Sequence, residues 1–482
     1  MNYRMISYYI GRILLVEAAL LVFPAVGALL YNENTLISFA LTIAALAVTG
    51  LIAINKKPEK NNIYAKEGYV IVALSWILMS LFGAMPFFFS GYIPNFIDAF
   101  FETVSGFTTT GSTILRSIED LPKSLLFWRS FTHWIGGMGI LVFVIAIMPK
   151  TESNSMHVMR AEVPGPTVGK LVSKLRATAR ILYGIYCVLT AIQIIMLFAG
   201  GMPLFDSIVT SFATAGTGGF AILNNSIEGY NSIYAEMVIA VFMLIFGINF
   251  NLYYMIIIKQ GKRALKSEEL RWYIGIVAAA VIIIALSLIS TKHGVADSFR
   301  YSFFQVASII TTTGFSTTNF DTWPVIAKFV LVFLMVIGAC AGSTGGGIKV
   351  SRLMILIKSG LRDIKKAINP RSIETVKVDK VSVEEPVVKS VSVFFATYMI
   401  VTAVSIFIVA LDGRDIVTTA TSVFACIGNI GPGLGAVGPY GNFADFSILS
   451  KLILCFDMLA GRLELIPMLM LFSPYAWSRK YS

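Results

Sequence analysis

The sequence predicts an all-α polytopic membrane protein: two extra N-terminal transmembrane helices, then four pseudo-symmetric repeats, each a helix, a re-entrant hairpin and a second helix. Three observations predict it. The 482-residue chain is 56% hydrophobic and 13% charged, with a mean hydropathy of +0.77, where a soluble domain is roughly 25% charged. Apolar stretches of about 20 residues, enough to cross a bilayer core, recur from end to end. Between them lie four shorter apolar stretches ending in Gly- and Thr-rich runs.

The first run follows Arg4 and Arg12, is interrupted by Glu17 and Pro24, and has no small-residue cleavage site. It reads as a permanent helix, not a signal peptide. The predicted spans are 8–30, 36–55, 69–90, 124–148, 179–201, 233–258, 272–291, 326–357, 388–411 and 446–474. Stretches near 98–113, 206–221, 301–316 and 418–435 are too short to span and read as re-entrant hairpins. The predicted division is 1–60 for the N-terminal helices, then repeats at 66–150, 175–262, 268–362 and 385–476.

The net charge of +11 sits in particular loops: 56–66, 149–178, 259–271, 358–389 and the C-terminus with Arg479 and Lys480. The loop at 202–232 has no Lys or Arg. This alternation puts the basic loops and both termini in the cytoplasm and opens all four hairpins outside. It also speaks against nucleic acid, which would need a continuous basic stripe. Cys187, Cys340, Cys426 and Cys455 lack CxxC spacing and read as small core residues. No nucleophile–base set or metal cluster suggests an enzyme.

The hairpins align as DAFFETVSGFTTTG (98–111), DSIVTSFATAGTGG (206–219), YSFFQVASIITTTG (301–314) and TTATSVFACIGNIG (418–431). A short helix entering from outside aims its C-terminal dipole at the membrane centre, where it favours a cation. The Gly/Thr strand then returns as irregular backbone, tolerated at that depth only when buried or lining a water path. Four such strands around an axis present rings of carbonyls that replace an ion's hydration shell. The candidate filter is therefore Thr109, Thr110 and Gly111; Thr217, Gly218 and Gly219; Thr312, Thr313 and Gly314; Asn429, Ile430 and Gly431. In loops two and four, Gly216, Gly428, Gly433 and Gly435 compete, so the register there is open by about one residue. The loops carry no acidic ring of the Ca²⁺-filter kind. Asp98 and Asp206 read as N-caps of the re-entrant helices or as cation attractors.

These runs, together with SGFTTTGST (105–113), WIGGMGILVF (134–143), GSTGGGIK (342–349) and AGRLELIP (460–467), resemble the Trk/Ktr/HKT superfamily of K⁺ transporters, and its bacterial TrkH type in particular. The resemblance implies K⁺ as the transported ion with no organic cofactor, a homodimer with one pore per subunit in the prokaryotic plasma membrane, and a cytosolic TrkA-like nucleotide-binding ring. The alternative function is a Na⁺-permeable or ion-coupled (H⁺ or Na⁺ symport) transporter of the same fold.

Gly342, Ser343, Thr344, Gly345, Gly346 and Gly347 interrupt an apolar segment. A phosphate loop would need Lys where Ile348 stands. Gly433–Gly438 matches GxGxxG without a βαβ context. The 342–347 run reads as a break in the second helix of repeat three, a feature the other repeats are expected to lack. The resemblance makes it an intramembrane gate; the plain alternative is a packing kink. Arg462, within the last apolar segment, should face protein or water. By resemblance it lies beside the gate loop, and by the alternative it pairs with Glu464. His133 reads as a packed polar residue. The basic loops 149–178 and 358–389 suit a cytosolic partner, or only topology and anionic lipid.

Overall fold

The computed structural model describes residues 1–55, 65–139, 175–290 and 294–477. Lys56, Lys57 and Lys60, the 149–174 part of the second basic loop, and Arg479 and Lys480 lie outside them.

The chain is a multi-pass helical membrane protein. Helices α1 (Tyr3–Leu20) and α2 (Val22–Leu30) form one bent span. Pro24 has no N–H to give the Leu20 carbonyl, which is where α1 stops. Helix α3 (Leu36–Ile54) packs on α1 at two glycines. A Cβ on Gly11 would stand 2.8 Å from the Gly50 oxygen, and one on Gly50 2.8 Å from Leu15. In lipid, small residues of this kind let helix backbones approach and gain dispersion contacts.

The same order of elements then occurs four times. First come α4 (Ala65–Gly83) with its short extension α5 (Met85–Phe89), hairpin helix α6 (Phe96–Phe107) and α7 (Lys123–Gly137). Next are α8 (Leu175–Ala199), hairpin helix α9 (Leu204–Ala215), and α10 (Ile233–Phe246) with α11 (Phe250–Ile257). The third set is α12 (Glu268–Ile289), hairpin helix α13 (Val295–Ile310), and α14 (Val325–Ile337) with α15 (Val350–Ile368). The fourth is α16 (Glu385–Val409), hairpin helix α17 (Ile416–Ile427), and α18 (Ile448–Arg462) with α19 (Ile466–Phe472).

Among the described residues, six helices are long and apolar enough to cross a bilayer, or seven with the α10/α11 pair, which bends by 89°. The other predicted spans are broken or run outside the described residues. Repeat three is therefore not alone in its break. Between α10 and α11 the Asn249 side chain caps the new helix by accepting from the Asn251 N–H. Between α18 and α19, Glu464 and Leu465 take φ of 59° and 65°, and Pro467 has no N–H for the Leu463 carbonyl. An Asn cap and a proline break these helices, so a search for glycine runs passes over them. The third break, 338–349, is the longest.

Three further expectations change. The basic stretch 358–389 begins as helix, since α15 runs to Ile368. It then forms the one strand pair among the described residues, Lys377–Val378 with Val381–Ser382. Cys187 is exposed, while Cys340, Cys426 and Cys455 are buried and all four are free. Apolar neighbours do not mark an interior position when the outer surface faces lipid. Finally, Asp98 and Asp206 are not caps, because each already lies inside its helix. Asn95 caps α6 through the Ile97 N–H, and Pro203 precedes α9. Asp98 accepts from Lys451 at 2.6 Å and Asp206 from the Tyr230 hydroxyl at 3.1 Å.

The α1–α3 contact predicts a stability difference. Gly50→Val forces a bulky side chain against Leu15, a cost of about 1–3 kcal/mol. Gly27→Val meets nothing within 4 Å. In detergent, thermal unfolding of Gly50→Val is expected at lower temperature than that of Gly27→Val; equal melting temperatures would refute the close packing.

Candidate ion-conducting site

All four hairpin helices end in the same way. The N–H of Thr110 donates to the Ser105 carbonyl at 2.9 Å and that of Thr109 to Gly106 at 3.1 Å. Gly218→Ala213 with Thr217→Thr214, Thr313→Ser308 with Thr312→Ile309, and Ile430→Ala425 with Asn429→Cys426 repeat the pattern at 2.8–3.2 Å. This is the Schellman ending, whose left-handed residue is usually glycine. Here it is Thr109, Thr217, Thr312 and Asn429, with φ of 55–58°. A β-branched residue in that region is an outlier, held at a cost of about 1–3 kcal/mol each where surrounding structure dictates it.

Two residues on, Gly111, Gly219, Gly314 and Gly431 also have positive φ, between 75° and 99°. A Cβ on Gly111 would stand 2.1 Å from the Gly218 oxygen, one on Gly219 1.9 Å from Thr313, one on Gly314 2.0 Å from Ile430, and one on Gly431 2.8 Å from Thr110. The contacts run from repeat one to two, three, four and back to one. The strands thus close a ring in which each glycine abuts the carbonyl before its neighbour's glycine. Gly219 and Gly431 occupy the positions equivalent to Gly111 and Gly314. The competing glycines serve other contacts: Gly216 lies against His133, and Gly433 and Gly435 against Thr421 and Thr418, while Gly218 meets His133 and gives its oxygen to the ring. All four ring glycines line one depression, together with Arg116, Asn224, Ser316, Pro432 and Tyr440. Such a ring offers peptide oxygens at one level, backed by four helix C-termini, which suits a desolvated monovalent cation.

Each strand leaving the ring is pinned. In repeat one, buried Glu102 accepts from the Thr113 hydroxyl and the Ile114 N–H at 3.0 Å, and from Arg129 Nε at 2.6 Å. Arg129 also donates to the Ala221 carbonyl at 2.9 Å, and its guanidinium lies 3.6 Å over the Phe220 ring. In repeat two, His133 places Nδ1 2.7 Å from the Gly106 carbonyl, and Nε2 accepts from the Phe220 N–H at 3.3 Å. In repeat three the Ser308 hydroxyl donates to the Phe315 carbonyl at 2.6 Å, and in repeat four the Leu434 N–H donates to the Thr421 hydroxyl at 2.9 Å.

Below the ring, the 338–349 segment threads between helix ends. The Gly346 N–H donates to the Thr312 hydroxyl at 2.7 Å. A Cβ on Gly346 would stand 2.6 Å from the Gly428 oxygen, and one on Gly345 3.0 Å from Thr311. Backbone bonds from Cys340 to Gly247 (3.1 Å) and from Phe250 to Gly342 (3.0 Å) tie the segment to the α10/α11 break. Arg462 donates to the Thr344 carbonyl at 2.6 Å, and to Gly136 and Gly137 at 2.6 and 2.7 Å. It does not pair with Glu464, which takes Arg352 at 2.5 Å. The structure thus packs Gly345 and Gly346 against the hairpin ends at Thr311, Thr312 and Gly428 and joins Arg462 to Thr344, while Gly342 lies against Asn249, Ser343 bonds the Cys340 carbonyl and Gly347 lies against Gly338.

Sequence reasoning passed over Glu102, Arg129, Glu269 and Lys349. Buried Lys349 donates its ammonium to the Gly345 carbonyl, and Glu269 accepts from the Ala341 N–H at 2.7 Å. The signal was present, because an ionisable residue in an apolar run marks a buried partner or a water path. It had been applied to Arg462 alone.

A model of the TrkH family, described as cation transport protein, matches residues 33–481. The chain is 36% identical to the Trk system potassium uptake protein TrkH of Salmonella typhimurium and to that of Escherichia coli K12, over 99% of this chain and 100% of each relative. It is 32% identical to the Trk system potassium uptake protein TrkG of Escherichia coli K12, over 98% of both. The crystal structure of the potassium transporter TrkH from Vibrio parahaemolyticus superposes with a TM-score of 0.90 at 33% identity, over 99% of this chain and 100% of the other.

The Glu102–Arg129 pair predicts a sharp asymmetry between single and double variants. Glu102→Ala leaves a buried guanidinium unpaired, a cost of about 3–5 kcal/mol, and is expected to abolish recovery of folded protein on size-exclusion chromatography. Glu102→Gln with Arg129→Met removes both charges and is expected to recover monodisperse protein. Equal yields from both would show that the pair carries no structural weight.

Proposed function

Because the chain belongs to the TrkH family of cation transport proteins, we propose that it takes up K⁺ across a prokaryotic plasma membrane through a selective, gated pore. The closed contact order among Gly111, Gly219, Gly314 and Gly431 carries this reading. Four parallel strands converging on one carbonyl ring suit permeation along an axis. An alternating-access transporter usually sets its site between inverted twofold repeats. Thr109–Gly111, Thr217–Gly219, Thr312–Gly314 and Asn429–Gly431 form the filter, and residues 1–60 lie outside the pore-forming repeats.

The 342–347 segment is the gate in this proposal and Arg462 its latch. Arg462 bonds the freed Thr344 carbonyl and adds a fixed positive charge below the filter. The Lys and Arg residues of 259–271 and 358–389 face the cytoplasm with both termini. The protein works as a homodimer with a cytosolic nucleotide-binding ring docked on its basic loops.

Flux into proteoliposomes tests the pore: K⁺ uptake is expected well above Na⁺ and choline, and equal K⁺ and Na⁺ fluxes in the parent protein would refute K⁺ selectivity. Gly314→Ser places an oxygen-bearing side chain where a bare Cβ already lies 2.0 Å from the Ile430 oxygen. It is expected to lower the K⁺/Na⁺ flux ratio by about tenfold, the equivalent of 1.4 kcal/mol.

The gate has its own measurement. Arg462→Ala, or deletion within 342–347, is expected to raise K⁺ flux several-fold in the absence of any partner. Variants that assemble normally yet conduct no faster than the parent would leave the segment a packing kink.

A further inference from the structure

We propose that His133, outside the filter sequence, is a positioning residue that determines K⁺/Na⁺ discrimination by fixing the second-repeat strand of the ring; this rests on the filter reading above. Its ring is fully buried and joins two repeats. Nδ1–H donates to the Gly106 carbonyl at the end of α6, and Nε2 accepts from the N–H of Phe220, the residue directly after ring glycine Gly219. These partners assign the neutral tautomer protonated on Nδ1. The Phe220 ring lies 4.1 Å from the imidazole between centroids, tilted by 32°, and the Arg129 guanidinium covers Phe220 at 3.6 Å. The contact is therefore closed by the buried Glu102–Arg129 pair.

A comparison among the repeats gives this arrangement its meaning. In repeat one the Thr108 and Thr110 hydroxyls bond each other at 2.8 Å, and in repeat three Thr311 and Thr313 do the same. These pairs brace the strand from within its own loop. The equivalent residues of repeat two are Gly216 and Gly218. A Cβ on Gly216 would stand 2.2 Å from the His133 oxygen, and one on Gly218 2.3 Å from its Cγ. The threonine bridge is excluded there by the histidine, whose two hydrogen bonds take over its bracing role. Gly218 also supplies the carbonyl that Gly111 abuts, so displacement of this strand is passed directly to the ring.

Three substitutions separate positioning from space-filling. Gln places an amide oxygen near the Nε2 position and keeps an acceptor for Phe220. Asn reaches only the Nδ1 position and loses that acceptor. Ala removes both. In proteoliposomes, His133→Gln is expected to keep the parent K⁺/Na⁺ ratio within about twofold, while His133→Asn and His133→Ala lower it by about tenfold, the usual scale for one buried hydrogen bond lost. Gly218→Ala, which drives a methyl into the imidazole, is expected to fall with the Asn variant. If the Ala variant does not assemble, the Asn and Gln pair decides, and equal ratios from those two overturn the proposal. Gly314→Ser is run alongside. A lowered ratio there with unchanged His133 variants overturns the histidine's role alone. An unchanged ratio there refutes the filter reading, and this proposal with it.

Discussion

Hydrocarbon offers no hydrogen bonds, so backbone that leaves a helix inside the membrane must find its partners in the protein. The rest of this structure depends on that constraint. The α4/α5 kink leaves the Gly83 carbonyl to the Trp128 indole N–H at 3.0 Å. The α10/α11 break gives its Phe246 and Gly247 carbonyls to Thr344 and Cys340 of the third-repeat segment. That segment in turn gives the Thr344 carbonyl to Arg462. The α10/α11 break, the 338–349 segment and the end of α18 at Arg462 thus satisfy one another as one connected network.

The network explains why a nearly fourfold backbone carries such unequal side chains. The helix endings and glycine positions are the same in all four loops, because carbonyls at one level require the same torsions from each strand. The contacts that pin each outgoing strand need only hold it at that level, and these differ from repeat to repeat: a carboxylate, a histidine, a serine, a threonine. Among the described residues, the third repeat alone sends a long glycine-rich segment against hairpin ends, where Cβ atoms would collide with Gly428 and Thr311.

Much of this was legible in the sequence. Apolar length gave the unbroken spans, and the Gly/Thr runs gave the hairpins, since both signals are local. The glycine register in loops two and four was not local. The contact that sets Gly216 and Gly218 against His133 comes from a different repeat, and the contacts that place Gly219 and Gly431 in the ring come from neighbouring strands. The breaks at Asn249 and Glu464 were missed because a cap and a proline act on a single hydrogen bond and leave hydropathy unchanged. Glu102 and Arg129 escaped sequence reading because they lie 27 residues apart, and the α6–α7 packing that pairs them is tertiary.

The ring has a consequence for biosynthesis. Its closing contact joins Thr110, made early, to Gly431, made near the end of translation. No subset of the repeats can close it. Until the fourth repeat is made, the Thr110 carbonyl of the first hairpin lacks its Gly431 neighbour. The ring is thus assembled last, and a chain truncated before α17 would be left with a polar wound in the membrane that quality-control proteases can recognise.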